Sequence, residues 1–217
     1  MKVTWRRALI AAALIAAGAI LGVAIMPFVY DGAPPYLAYL NWRCESRESA
    51  YDYPKAQKSC AIAIEQSERM APGSKEHTRS LSNLAWVYYD QGKYADAESL
   101  FKRALALREN ALGPEHEYVS VSLQNLADVY ERQGRYADAE NAIKRETAID
   151  EKSDGAESTS MASDLGSLAR IYALEGKYAD AEQLAKRALA IDEASSEPGY
   201  GAKGLGTTEQ LHNLALA

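Results

Sequence analysis

The sequence QGKYADAE at residues 91–98 recurs as QGRYADAE at residues 133–140 and as EGKYADAE at residues 175–182. Its tyrosine therefore falls at positions 94, 136 and 178, a spacing of 42 residues. A fixed period of this length indicates stacked structural units, because a single unit cannot bury its apolar side without a neighbour. The repeat favours a binding scaffold over an enzyme.

The apolar residues before each copy follow helical spacing. In the first copy they are Leu81, Leu84, Ala85 and Tyr88, and the same types recur at 123–130 and 165–172. Steps of three or four residues return to one side of a helix, and a glycine that adopts positive φ often ends it. Gly92, Gly134 and Gly176 are placed for that purpose. Since a second apolar stretch with helical spacing follows each glycine, we predict an all-α chain of antiparallel helix pairs.

A long apolar segment precedes the repeats. Residues 8–30 contain no charged side chain, and 23 residues are enough to cross a bilayer as a helix. Lys2, Arg6 and Arg7 precede it, so residues 1–7 are expected to stay in the cytoplasm and the rest to be exported. Residues 31–35 then form a short linker. The alternative is a signal peptide cleaved near Gly22-Val23-Ala24, which would leave a secreted protein.

The charge of the exported part limits its partners. Beyond residue 30 there are 21 basic and 30 acidic residues, which leaves about nine negative charges. Nucleic acids and anionic lipid surfaces attract positively charged proteins. The sequence therefore disfavours nucleic acid as a partner and leaves proteins and peptides as candidates.

Motifs for catalysis or cofactor binding have little support. Residues 199–204 formally read G-x-G-x-x-G, but that dinucleotide motif needs a strand before it and a helix opening within it. Here it follows a helical pattern, so we interpret it as a loop. The three histidines have no metal-ligand spacing. We expect no enzymatic activity, no cofactor, no metal site and no small-molecule substrate.

The chain resembles tetratricopeptide repeat proteins, in the 42-residue variety of kinesin light chains. The residues that carry the likeness are Ser82-Asn83-Leu84-Ala85 and Ala111-Leu112-Gly113-Pro114-Glu115-His116. The resemblance implies a right-handed superhelical solenoid over residues 36–217. Its units would span about 36–72, 78–112, 120–154 and 162–196, followed by a half-unit at 207–217. That half-unit is expected to be a solubilising cap or the result of a truncated gene model.

The resemblance also implies a binding surface. In this family the first helix of each unit lines the concave face and holds extended or helical peptides, and an Asn before the Leu-Ala pair often contacts the ligand backbone. The candidate residues are Asn83, Trp86, Tyr89, Gln124, Asn125, Asp128, Glu131, Arg132 and Arg170, whereas Ser167 departs from the Asn pattern. The alternative for Trp86 and Tyr89 is that they pack against a neighbouring unit.

Cys44 and Cys60 are the two cysteines of the chain. If the first helix pair turns near Asp52, each lies eight residues from the turn, at the same height on antiparallel helices. In the repeat frame they replace the inward-facing Ala85 and Phe101. An exported chain meets an oxidising compartment, so we predict a structural disulfide, with two buried free thiols as the alternative.

Two further expectations concern charged residues of the second helices. Glu98, Glu140 and Glu182 each stand four residues before a lysine, the order that favours ion pairs on a solvated helix face. Glu146 replaces an alanine of the other units, and a carboxylate in a small apolar slot costs free energy unless it reaches solvent or a partner. We expect looser packing between the third and fourth units.

Taken together, these features predict a membrane-anchored scaffold that binds a protein or peptide client through a concave helix surface. The anchor at 8–30 would place the chain in the inner membrane of a bacterial cell, with the repeats in the periplasm. The alternative is a self-assembling structural component of the envelope that uses its terminal helix to oligomerise.

Overall fold

The computed structural model describes residues 35–48 and 52–195, and these form eight α-helices joined by short turns. In chain order the helices are α1 Pro35–Glu48, α2 Tyr53–Met70, α3 Lys75–Asp90, α4 Tyr94–Leu112, α5 Glu117–Arg132, α6 Tyr136–Ser153, α7 Thr159–Leu174 and α8 Tyr178–Ser195. They are arranged as four antiparallel pairs, so the predicted all-α repeat architecture is confirmed for the described residues. The first helices of the last three pairs begin three residues before the starts that the sequence suggested.

Equivalent side chains define the helix starts of the last three pairs. The N-caps are Ser74, His116 and Ser158, again 42 residues apart. Each accepts a hydrogen bond from a backbone N–H of the first turn, at 3.2 Å in all three cases. These bonds satisfy donors that have no partner within a helix.

The turns inside the last three pairs depend on glycine. Gly92, Gly134 and Gly176 have φ values of 72°, 71° and 79°, a region that other residues rarely adopt. The chain therefore reverses within a few residues after the first helix of the pair, as predicted. The two helices of a pair then pack antiparallel along their apolar sides.

The core consists of apolar residues that consecutive helices share. Ala97, Ala139 and Ala181 of the recurring octapeptide are all buried, which lets the paired backbones approach closely. Phe101 and Ile143 fill the space between one pair and the next and are about 1% exposed. From α2 to α8, each helix packs mainly against the helices before and after it in the chain. Stability is therefore expected to come from contacts between neighbouring repeats.

Several predicted segments lie outside the described residues. They are the cytoplasmic segment 1–7, the transmembrane segment 8–30, the linker residues 31–34 and the terminal half-unit 207–217. Within residues 35–48 and 52–195, no helix is both long and apolar enough to cross a membrane.

A disulfide joins the two helices of the first pair. Cys44 of α1 and Cys60 of α2 are bonded, with their Cα atoms 4.8 Å apart and both side chains fully buried. They pack with Ala56 of α2 and with Leu84 and Val87 of α3. The covalent bond thus occupies the inward position that aromatic and small side chains fill in the later pairs.

Charged side chains of the second helices form ion pairs within a helix and, in one case, hydrogen bonds to the neighbouring pair. The predicted ion pairs Glu98–Lys102, Glu140–Lys144 and Glu182–Lys186 are confirmed at 2.7, 2.6 and 2.5 Å. Glu98 also accepts hydrogen bonds from Gln133 and Arg135, which lie in the turn between α5 and α6. The sequence did not indicate these two contacts. Its side chain is 14% exposed, whereas that of Glu182 is 50% exposed.

We predict that replacing both cysteines, Cys44→Ser and Cys60→Ser, lowers the free energy of unfolding by about 3 kcal/mol. The bond closes a loop with a sequence separation of 16, and loss of that closure raises the entropy of the unfolded chain. Urea unfolding of the full chain with and without reductant measures the effect. The expectation fails if unfolded, unreduced wild-type protein reacts with two equivalents of a thiol reagent.

We predict that Glu98→Gln destabilises the array by about 1 kcal/mol at pH 7 and by less than half as much at pH 3. Burial opposes ionisation, but hydrogen bonds from Lys102, Gln133 and Arg135 outweigh it and lower the pKa of Glu98 to about 2. A lowered pKa contributes stability above the ordinary value of 4.5, and that contribution is lost as the pH falls toward 2.

Thermal unfolding of wild type and variant across this pH range tests the Glu98 prediction. Glu182→Gln is the matched control, because its half-exposed pair with Lys186 is expected to change stability by under about 0.5 kcal/mol. A Glu98→Gln effect that is independent of pH would contradict the role of the ionised carboxylate.

Candidate functional site

The first helices α3, α5 and α7 lie beside one another and carry all nine predicted binding residues. At one equivalent position of these helices stand Trp86, Asp128 and Arg170, and one turn earlier stand Asn83, Asn125 and Ser167. Side chains from neighbouring first helices contact each other directly. We call the surface formed by these six residues and by Tyr89, Gln124, Glu131 and Arg132 of the same helices the inner row.

An aromatic cluster occupies the α3 end of the inner row. Trp86 contacts the rings of Tyr89 and Phe101 edge to face, with centroids 5.1 and 5.3 Å apart. Phe101 is fully buried, while Trp86 and Tyr89 are half-buried. Trp86 therefore packs on the core with part of its ring and exposes the rest of the ring to solvent. The packing contact is the alternative role that the sequence left open.

Arg132 connects the aromatic cluster to α5. Its Nε donates a hydrogen bond of 2.8 Å to the hydroxyl of Tyr89, and its guanidinium lies 5.7 Å from the centre of that ring. Hydrogen bonding to Tyr89 is the largest cause that raises the pKa of Arg132. A cation held over an aromatic ring is attracted by the charge distribution of the ring. The exposed Arg132 is thus held in one position next to Tyr89.

Arg170 connects α5 to α7. Its guanidinium pairs with the carboxylate of Glu131 and lies 3.7 Å from Oδ1 of Asp128. Burial raises the pKa of Asp128, and the charges of Arg170 and Arg132 oppose that shift. The inner row therefore alternates aromatic, acidic and basic groups across three helices, each held by a neighbour.

The asparagines are more enclosed than the resemblance implied. Asn83 and Asn125 are each about 9% exposed, and Nδ2 of Asn83 donates to Oε1 of Glu45 at 3.2 Å. Arg79 holds the same carboxylate with two hydrogen bonds of 2.8 and 3.0 Å. Asn83 thus contributes to the contact between α1 and α3. A ligand contact by Asn125, or by the half-buried Gln124, stays a prediction.

Glu45 and Arg79 were not expected from the sequence. They lie 34 residues apart, and the first unit departs from the recurring octapeptide, so the repeat register did not align them. The signal that identifies them is charge complementarity between neighbouring first helices, which becomes visible only when α1 is placed beside α3.

Comparison with known proteins decides the family. A model of the tetratricopeptide repeat matches residues 37–110 and 76–152, and a second model of the same repeat matches residues 165–198. The chain belongs to the tetratricopeptide repeat (TPR) family. No curated protein matches the chain in sequence.

Solved structures show the same TPR fold at low sequence identity. One neighbour is a variant of a Podosopora anserina protein that is described as a kinesin light chain with nearly identical TPR-like repeats. It is 19% identical to this chain, with a TM-score of 0.71 over 83% of this chain and 85% of that one. BtubC (BKLC) from P. vanneervenii is 20% identical, with a TM-score of 0.71 over 82% and 72%.

A Rap protein solved in complex with competence and sporulation factor is a third structural neighbour. It is 17% identical, with a TM-score of 0.62 over 74% of this chain and 44% of that one. At this identity each likeness is evidence for the fold alone. Together the comparisons are consistent with a TPR scaffold for protein interactions.

We predict that Arg170→Met destabilises the array by about 1 to 2 kcal/mol at pH 7.5 and by less at pH 4.5. Without the guanidinium, Glu131 loses its paired cation, and of the two cations that act on Asp128 only Arg132 remains. A pKa raised in the folded state favours the neutral acid, so protonation at lower pH reduces this loss. Chemical unfolding at both pH values measures the effect. Lys186→Met, in an exposed pair, is the control, and an equal loss in both variants would contradict the prediction.

Proposed function

We propose that this protein is a membrane-anchored TPR scaffold that binds an extended or helical segment of a client protein along the inner row. The observation that carries the proposal is the combination of part-exposed aromatic surface at Trp86 and Tyr89 with the charged groups of Asp128, Arg132 and Arg170. Protein interfaces are enriched in Trp, Tyr and Arg, and these residues supply much of the binding energy.

The fixed positions of these side chains support binding without a large entropic cost. Arg132 is bound to Tyr89, and Arg170 to Asp128 and Glu131, before any client arrives. Groups that are already ordered lose less freedom when a ligand binds. A client with both acidic and basic residues fits the inner row better than one with a single sign of charge, because both signs alternate along it.

The uncharged segment 8–30 and the basic residues before it support a proposed location. We propose that this segment anchors the chain in the inner membrane with the TPR array in the periplasm. The disulfide Cys44–Cys60 supports an oxidising compartment, where such bonds persist.

Site-specific photo-crosslinking in intact cells tests the function. A photoreactive amino acid at Gln124, on the inner row, is expected to give a discrete adduct with a client, whereas the same group at Lys144, 55% exposed on α6, is expected to give none. The charge reversal Arg132→Glu should reduce the adduct at least about fivefold, and Lys186→Glu should leave it unchanged. Equal adducts from both faces would contradict the proposal.

The same cells report on the anchor. Full-length protein that stays with the membrane after alkaline extraction supports the proposed span, and a shortened soluble form in the medium or periplasm supports cleavage near Gly22-Val23-Ala24 instead. The intact mass of the purified chain distinguishes the two outcomes.

Self-assembly is the second candidate function. A groove on the α7–α8 side is lined by three apolar residues, Leu168, Tyr172 and Leu184, and by the polar Asp180, Gln183 and Arg187. On the same two helices, Leu174 and Tyr178 are 47% and 62% exposed. Exposed apolar side chains beside polar ones are a common feature of surfaces that pair with another copy of the same chain. Sedimentation of the full chain in detergent distinguishes the candidates, because a size that rises with concentration supports self-assembly and a constant monomer supports client binding.

A further inference from the structure

Three carboxylates lie together between the third and fourth repeats. Glu146 and Asp150 stand one turn apart on α6, and Asp164 faces them from α7. One oxygen from each lies within 4.8 Å of the other two, and the residues are 3%, 9% and 2% exposed. Three acidic groups are thus held close together in a region that water barely reaches.

Two of these side chains keep an oxygen without a hydrogen-bond partner. Within the described residues, Oε2 of Glu146 and Oδ2 of Asp164 are buried and receive no hydrogen bond. A buried carboxylate without compensation costs several kcal/mol, so native structures rarely leave one in that state. The unpartnered oxygens indicate that the cluster is built to receive a further group.

The equivalent positions at the two other junctions that the structure describes carry no acid. Between α2 and α3 they are Ala63, Ser67 and Ser80, and between α4 and α5 they are Ala104, Arg108 and Ser122. At the latter junction Arg108 donates a hydrogen bond of 2.5 Å to Ser122. Among the described junctions, all three positions are acidic only between α6 and α7. A change at three contacting positions of an otherwise regular repeat indicates a local function.

Among the described residues, the charges that act on Glu146 and Asp164 are all negative. The neighbouring charges that act on Glu146 are those of Asp164, Asp150 and Asp128, the last of them from α5. Burial, followed by these charges, raises the pKa of Glu146, and burial followed by Asp150 raises the pKa of Asp164. Hydrogen bonding from Thr147 and Glu146 partly offsets the shift of Asp164. A cation or protons must therefore neutralise the cluster.

We propose that Glu146, Asp150 and Asp164 form a binding site for a hard divalent cation that clamps the third repeat to the fourth. An all-oxygen carboxylate set is the ligand type that Ca²⁺, Mn²⁺ and Mg²⁺ prefer. Calcium–oxygen distances of about 2.3 to 2.6 Å place opposite ligands up to about 5 Å apart, which fits the 4.8 Å limit of this cluster. Calcium and manganese fit better than magnesium, which usually keeps several water ligands.

The site would have a structural consequence for the array. Two ligands come from α6 and one from α7, so bound cation would hold together a junction where the carboxylates otherwise repel each other. Without the cation this junction would be the weakest in the array. With it, the inner-row residues on α5 and α7 would keep their relative positions.

Calorimetric titration of the full 217-residue chain tests the proposal. The protein is purified in detergent with a chelator, dialysed to pH 7.5 and titrated separately with CaCl₂, MnCl₂ and MgCl₂. We expect one Ca²⁺ or Mn²⁺ per chain and a rise in Tm of about 5 to 10 °C at a hundredfold excess over Kd. No heat and no Tm shift with any of the three cations up to about 10 mM would overturn the proposal.

Neutral variants locate the site without depending on a loss of folding. Glu146→Gln and Asp164→Asn each remove a buried charge, so we expect their cation-free Tm to equal or exceed that of wild type. Their affinity for Ca²⁺ or Mn²⁺ should fall at least about tenfold. Glu151→Gln, on the exposed side of α6, is the control and should bind like wild type. Wild-type affinity in both site variants would overturn the assignment.

A triple variant provides a second, independent test. Glu146→Ala, Asp150→Arg and Asp164→Ser reproduce the residues of the α4–α5 junction, which the chain already packs successfully. The variant should fold and show no cation-dependent change in Tm. A Tm rise equal to that of wild type would place the cation elsewhere and overturn the proposal. Wild-type protein that is stabilised only by acidification, and not by cations, would show that protons neutralise the cluster.

Discussion

In the described part of the chain, each helix pair leaves apolar surface that is buried by packing against the pairs beside it. The alanines at 97, 139 and 181 allow the close approach of the paired helices, and Phe101 and Ile143 fill the space between pairs. Because these contacts are between neighbours, a change at one junction is expected to affect that junction far more than distant ones. All other features of the protein are built on this constraint.

The first pair shows how the array compensates at its beginning. Its sequence departs from the repeat, and a disulfide between Cys44 and Cys60 replaces part of the regular core. The fully buried Asn41 then joins α1 to α3, since it donates to Glu76 and accepts from Ser80 at 2.7 Å. A covalent bond and a buried hydrogen-bond network thus hold a pair that the apolar repeat alone would hold less well.

Polar groups that differ between repeats serve two separate purposes. On the inner row they create a surface of alternating character, and the pairs Tyr89–Arg132 and Asp128–Arg170 keep that surface ordered. At the α6–α7 junction they create a local excess of negative charge, where Glu146 and Asp164 are buried among other acids. The first arrangement is compatible with binding a client, whereas the second demands a neutralising partner inside the array.

The periodic residues of the sequence were sufficient to predict the helix pairs, the glycine turns and the family, because these depend on local backbone conformation and on a repeated apolar pattern. The Glu98–Lys102 pairing was predictable for the same reason, since its partners are four residues apart. The contacts of Glu98 with Arg135, of Glu45 with Arg79, and the meeting of Glu146 with Asp164 required the tertiary structure. Those side chains are distant along the chain, and only the packing of one helix pair on the next brings them together and removes the water around them.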